Sequence, residues 1–258
     1  MKQGHVLLTG ASSGIGWELA QLFAQDGYSL IVVARRADKL QELKSKCEAY
    51  GVDVHAIAKD LAQPHQVEEL YEEVTRQQLA VDILVNNAGF GSYGLFQDSK
   101  EQEDLEMIQV NITALTRLTR LFLPEMVARR RGRILNVASI AGFLSGPLMA
   151  VYYATTAYVL SFSEALENEL RGSGVTVTAL CPGATATGFE ERASLQDSRL
   201  FRGGVMDVKT VARIGYQGLM QGQTLVIPGW KNRLLTFSVR LAPRKLVTAI
   251  ARRVQSKM

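Results

Sequence analysis

With 258 residues, 47% of them apolar and 21% charged, the chain has the make-up of a soluble globular protein and is long enough to bury a full core. Its net charge of +4 is a mild basic excess, compatible with an anionic cofactor without proving one. Two cysteines, Cys47 and Cys181, exclude a disulfide framework and suit a reducing cytosol, and no apolar run approaches the ~18 residues of a membrane span. An apolar strand is predicted at 5–9, so a signal peptide is not expected. Further strands are predicted at 28–34, 52–58, 82–86, 133–138, 174–180 and 224–227. Several, such as Leu30-Ile31-Val32-Val33-Ala34, are continuously hydrophobic, as strands buried on both faces are. Helical periodicity fills the intervals at about 14–26, 36–50, 64–79, 101–128, 151–171 and 207–221.

This alternation of β and α predicts parallel strands joined by right-handed crossovers, hence an α/β doubly wound sheet. With no repeat, low-complexity tract or linker, one domain is expected over 1–258. The irregular stretch 184–206 follows the sixth strand, at the carboxyl ends where such sheets bind ligands, and is read as a substrate loop.

Thr9-Gly10-Ala11-Ser12-Ser13-Gly14-Ile15-Gly16 joins the first strand to the first helix. Glycines permit a tight turn and a close approach of backbone N–H groups to a pyrophosphate, and the helix N-terminus behind them favours anions. Position between strand and helix is the context this motif needs. Downstream come Asn86-Asn87-Ala88-Gly89 after the fourth strand, Asn111 in a Val-Asn pair, Ser139 after the fifth strand, Tyr152, then Pro182-Gly183 and Thr187 after the sixth.

In spacing and order these motifs resemble the short-chain dehydrogenases/reductases over roughly residues 5–228. The resemblance implies a Rossmann-like sheet of order 3-2-1-4-5-6-7. It implies a nicotinamide cofactor on Gly10, Ser12, Ser13, Gly14, Ile15 and Gly16, with Asn87, Ala88, Gly89, Pro182, Gly183 and Thr187 completing the site. An acidic residue after the second strand would suit the ribose of NAD, whereas arginine pairs with the 2′-phosphate of NADP. The chain has Arg35 and Arg36 there, so NADPH/NADP is expected, with Arg35 on the phosphate and Arg36 near the adenine. By resemblance Asp60 accepts from the adenine amino group and the Leu61 backbone helps hold it; a helix N-cap is the alternative for Asp60.

The same resemblance implies reversible, NADPH-dependent reduction of a ketone or aldehyde. Tyr152 would exchange a proton with the substrate oxygen, Ser139 would hydrogen-bond that oxygen, and Asn111 would hold a relay water. A fourth role falls to a lysine at position 156, where this chain has Thr156. Residues 152 and 156 lie one turn apart on one helix face. A phenol of pKa ≈ 10 is a poor acid–base catalyst near pH 7 unless a nearby ammonium lowers it. Threonine has neither the charge nor the reach, and no lysine occurs between Lys100 and Lys209. Three readings stay open: an inactivated variant of a reductase, engineered or spontaneous; a natural enzyme with weakened proton chemistry; and a cofactor-binding pseudoenzyme or scaffold without turnover.

No metal site is expected from the scattered His5, His55 and His65, and Cys181 reads as a core residue. Glu164, Glu167 and Glu169 have the offsets of a solvated face. Arg129-Arg130-Arg131 with Arg133 sits at the amino-end side of the sheet and lacks interleaved aromatics, so no nucleic-acid site is expected. Phe90, Tyr93, Leu144, Met149 and Phe189 fall near the expected cleft and predict a small, largely apolar carbonyl or alcohol substrate. In the tail, 231–258, Leu246, Val247, Ile250 and Val254 form a helical stripe among basic residues. That stripe suits packing on the domain itself, on a second subunit, or on an anionic membrane surface. Family resemblance implies a homodimer or homotetramer formed through 101–128 and 151–171. A cytoplasmic protein is the expectation, with peripheral membrane contact through the tail left open as the alternative to packing.

Overall fold

A computed structural model describes residues 3–189, 193 and 204–256. Its centre is a seven-stranded parallel sheet of order β3-β2-β1-β4-β5-β6-β7. The strands are β1 (Gln3–Thr9), β2 (Tyr28–Ala34), β3 (Val54–Ala58), β4 (Val81–Asn86), β5 (Gly132–Val137), β6 (Val175–Leu180) and β7 (Leu225–Val226). The expected order is the observed one, and the strands begin and end within a few residues of their predicted limits. β2 is buried along its whole length, as its unbroken apolar run predicts.

Alternate residues of each strand serve opposite layers. Val6, Leu8, Leu30 and Val32 join a core beneath α1 (Gly14–Gln25), α2 (Ala37–Glu48) and, after β6, α7 (Val208–Met220). Leu7, Ile31, Val33 and Leu84 face the other core. That layer is closed by α3 (Pro64–Arg76), α5 (Leu115–Ala128) and α6 (Ala150–Glu169). Each fully buried side chain of this size contributes about 1.5–3 kcal/mol relative to exposure.

The helix expected over 101–128 is broken in one place. α4 (Glu101–Ile108) and α5 are separated by a π-helical turn, Gln109–Ala114, in which Asn111 is buried. A second departure is in the tail. Besides the predicted stripe, now α9 (Arg244–Gln255), the segment Trp230–Val239 forms a helix of its own, α8. The arginine cluster knits the amino end of the sheet. Arg129 donates to the Val81 carbonyl at 2.6 Å, Arg130 donates to Gly172, and Arg131 faces Asp82 at 3.7 Å. Among the described residues no helix is long and apolar enough to cross a membrane.

Candidate active site

The carboxyl ends of β1, β4, β5 and β6 open on a cleft of about 810 Å³. Its first wall is the turn after β1. Gly10 has φ +68°, and a Cβ there would lie 2.7 Å from Asn87 Nδ2. A Cβ on Gly16 would meet the same nitrogen and the Gly10 carbonyl, each at 2.5 Å. The space is taken by a stitch between β1 and β4. Asn87 Nδ2 donates to the carbonyls of Thr9 and Gly10, and the amides of Asn87 and Ala88 donate to Thr9 Oγ1. The turn is therefore pinned from below while its upper rim, Ser12, Ser13, Gly14 and Ile15, lines the cleft. Ser13 is the N-cap of α1 but makes no capping hydrogen bond. First-turn N–H groups of a helix have no intrahelical partner, so this end is ready to receive an anion. Thr187 closes the bay from the opposite side, and a Cβ on Gly14 would be 3.0 Å from the Thr187 Cβ.

At one end the cleft is lined by Arg35, Arg36, Lys59, Asp60 and Leu61. Arg35 is exposed. Arg36 reaches back to Ser12, donating to its carbonyl at 3.1 Å and its hydroxyl at 3.2 Å, and so braces the glycine turn. Asp60 accepts from the Ala62 amide at 3.1 Å; Gln63, not Asp60, is the N-cap of α3. An anionic diphosphate with a further phosphate beside Arg35 fits this donor set in charge and in the room the glycines leave.

Ser139 and Tyr152 meet at the other end. Ser139 Oγ accepts from the Ala141 amide at 3.1 Å and lies 3.4 Å from the Pro182 carbonyl, to which it donates. The tight turn Ile140–Phe143 carries it against α6, where a Cβ on Gly142 would come within 2.8 Å of the Thr156 carbonyl. Tyr152 is half-buried, held between Gly91 and Phe189, with the Phe189 ring centroid 5.1 Å away. Burial pushes its phenol up to about 12, and a hydrogen bond with Ser139 offsets only part of the rise. Thr156 is buried, and its hydroxyl donates to the Tyr153 carbonyl at 3.0 Å. Thus position 156 presents no charge to the phenol.

Asn111 is brought to this end but spends its amide on the protein. Its Oδ1 accepts from the Phe90 amide, and its Nδ2 donates to the Phe90 carbonyl and to Thr155 Oγ1. Thr155 was not singled out by sequence reasoning. Its neighbour Asn111 is 44 positions away, and a threonine beside the expected lysine position carries no signal of its own.

Phe90, Leu144, Met149 and Phe189 line the cleft as expected. Tyr93 does not; it packs on the same apolar cluster and lines a smaller neighbouring pocket. Of the substrate loop, 190–192 and 194–203 lie outside the described residues. The roof includes Leu235 and Val239 of α8 and Val247, Ile250 and Val254 of α9. Gln255, also unforeseen, is buried against Tyr153 and donates to its hydroxyl. Burial and the Glu164 charge push the Cys181 thiol up to about 12, so it stays protonated, as a core cysteine does. Glu164 and Glu169 are exposed, and Glu167 pairs with Arg171 at 3.5 Å.

A family model described as short chain dehydrogenase matches residues 4–198. A 3-oxoacyl-(acyl-carrier-protein) reductase of Staphylococcus epidermidis is 37% identical over 178 residues, 69% of this chain and 73% of that protein. Among solved structures, a short-chain dehydrogenase from Sphingobium yanoikuyae in complex with NADPH superposes with TM-score 0.84 at 33% identity, covering 93% of this chain and 94% of that one. A bulky-bulky ketone specific alcohol dehydrogenase from Comamonas testosteroni gives TM-score 0.80 at 30% identity, covering 93% of each chain. The sheet order agrees with the solved structures, and the chain belongs to the short-chain dehydrogenase family.

Proposed function

We propose that this chain is an NADPH-dependent carbonyl reductase scaffold whose turnover is curtailed at position 156. The observation that carries the reading is the placement of Ser139 and Tyr152 on the same cleft as Ser12–Ile15 and Arg35. Gly10, Ser12, Ser13, Gly14, Ile15 and Gly16 would hold the diphosphate, Arg35 the 2′-phosphate, and Asp60 with Leu61 the adenine. Asn87, Ala88, Gly89, Pro182, Gly183 and Thr187 would hold the nicotinamide half. When bound, the nicotinamide supplies the hydride. Ser139 fixes the carbonyl oxygen and stabilises charge developing on it. Tyr152 delivers the proton to that oxygen, and takes it back in alcohol oxidation. A phenol pushed up to about 12 is protonated at neutral pH, so it can donate slowly but can hardly accept.

The second reading, a cofactor-binding pseudoenzyme or scaffold, is favoured by one feature: Thr156 is buried and its hydroxyl is committed to the helix backbone. NADPH oxidation against a panel of aldehydes and ketones, run on this chain and on Thr156→Lys, separates the two. The reductase reading expects the lysine variant to gain about 10²–10⁴-fold in kcat, the range of a general acid–base contribution. Equal rates would overturn the role given to position 156. NADPH binding without turnover in either chain would establish the pseudoenzyme. The exposed Leu105, Ile108 and Tyr158 on α4 and α6 support self-association through those helices.

A further inference from the structure

Charge is divided unevenly along this chain. The first 207 residues hold 19 Lys/Arg and all 25 Asp/Glu, a net charge of −6, while the last 51 hold ten Lys/Arg and no acidic residue. The whole positive excess therefore belongs to the part that forms α7, β7, α8 and α9.

The same part carries the apolar surface. Trp230, Leu234, Leu235, Phe237, Leu241, Leu246, Ile250 and Val254 are all exposed, and Leu241 is 75% exposed. These are eight of the sixteen large apolar residues exposed among those described. Single exposed leucines are unremarkable, but a concentration of this kind on two consecutive helices marks a contact surface. α9 is fastened at its inner side, where Ala251 and Gln255 are buried, so the exposed stripe is a presented face and not a detached helix. Leu235, Ile250 and Val254 are exposed and also line the cleft. The cleft mouth thus opens within this face.

We propose that α8 and α9 dock the protein on an anionic lipid bilayer, and that the cleft takes its apolar carbonyl substrate from that surface; the second half rests on the function proposed above. Charge selects this occupant over the others. Lys231, Arg240, Arg244, Lys245, Arg252 and Arg253 are exposed on these helices and at their ends, and a two-fold contact between copies would bring this cationic set against itself. A polyanion such as nucleic acid would answer the charge but leave the leucines and phenylalanine in water. An anionic bilayer meets both, with lipid headgroups at the exposed cations and acyl chains beneath the apolar side chains.

Vesicle co-sedimentation of the full chain tests the docking without cofactor or turnover. Binding to phosphatidylcholine vesicles with about 30% phosphatidylglycerol should exceed binding to phosphatidylcholine alone by about tenfold, and should fall in about 1 M NaCl, where screening shortens to about 3 Å. The triple variant Phe237→Glu, Leu241→Glu, Leu246→Glu touches exposed residues outside the cleft lining and should lose that binding at unchanged melting temperature. If its melting temperature falls instead, Arg244→Gln with Lys245→Gln provides the same test through charge alone. Absence of sedimentation with anionic vesicles overturns the proposal. So does a variant that converts an oligomer to monomers without changing vesicle binding, which assigns the face to a second copy. For the substrate half, the Thr156→Lys chain should reduce a long-chain ketone faster with anionic vesicles, and a short water-soluble ketone equally with and without them. No vesicle effect on the long-chain ketone overturns that half. No turnover of any carbonyl overturns the function reading while the sedimentation result stands.

Discussion

A single side chain separates the site from the pattern its family resemblance implies. Tyr152 and Ser139 converge, but the half-buried phenol has no cation beside it to favour its ionised form, and desolvation pushes it up to about 12. The sign of the consequence differs between directions. Reduction needs the protonated phenol, which predominates at every pH below about 12, so the reductive rate of the present chain should be flat from pH 6 to about 10. Oxidation needs phenolate, so its rate should climb about tenfold per pH unit over the same range. In Thr156→Lys the ammonium lowers the phenol, and the oxidative profile should level off at lower pH. Paired pH–rate profiles check this; a present-chain oxidation plateau near neutrality would point to a different base. The threonine at 156 was legible in the sequence because the resemblance places its fourth role at a fixed distance from Tyr152. The commitment of Thr156 to the Tyr153 carbonyl was not, since nothing in sequence spacing says where a threonine hydroxyl turns.

At the scale of elements, the π turn Gln109–Ala114 matters most to the site. An added backbone residue in one helical turn shifts the side chains that follow, and such turns recur at functional sites. Here it accompanies the seating of Asn111 on both backbone groups of Phe90. Asn111→Ala should remove the side-chain hydrogen bonds made to the Phe90 N–H and C=O, cost about 1–3 kcal/mol, and loosen the loop that carries Gly89. Urea unfolding measures the cost, and proteolysis within 88–95 reports the loop. The strands were legible because a strand buried on both faces leaves an unbroken apolar run, as β2 does. The π turn was not, because apolar periodicity passes across 101–128 with little change. α8 was missed for a related reason: most of its large apolar side chains face solvent, so it lacks the one-sided pattern that betrays a helix packed on a core.

For the whole molecule, the residues proposed to hold the cofactor lie after five strands, β1, β2, β3, β4 and β6, so a ligand there would tie both halves of the sheet together. NADPH at about 100 times its Kd should add about 2.7 kcal/mol to unfolding, which for a chain of this length raises Tm by about 5–10 °C. The shift should be smaller with NADH, and Arg35→Asp should reverse that order, because a carboxylate repels the 2′-phosphate and accepts from ribose hydroxyls. Differential scanning fluorimetry with both nucleotides decides it. An equal shift with both in the present chain would remove Arg35 from the phosphate.

Beneath the cleft, Asn86 of β4 and Asn136 of β5 are register partners, and Asn86 Nδ2 donates to Asn136 Oδ1 at 2.9 Å and to Thr119 Oγ1 at 3.1 Å. Asn136 in turn donates to Ser163 of α6 at 2.9 Å. Apolar strands of similar composition could slide past one another at little cost, because one valine resembles the next. Two amides that meet only in one alignment forbid it, since a slip of one residue would strand both in a dry interior. These side chains do not line the cleft, yet they act as a key cut for a single position, and the spacing between Asn87 on one strand end and Ser139 on the other is inherited from it.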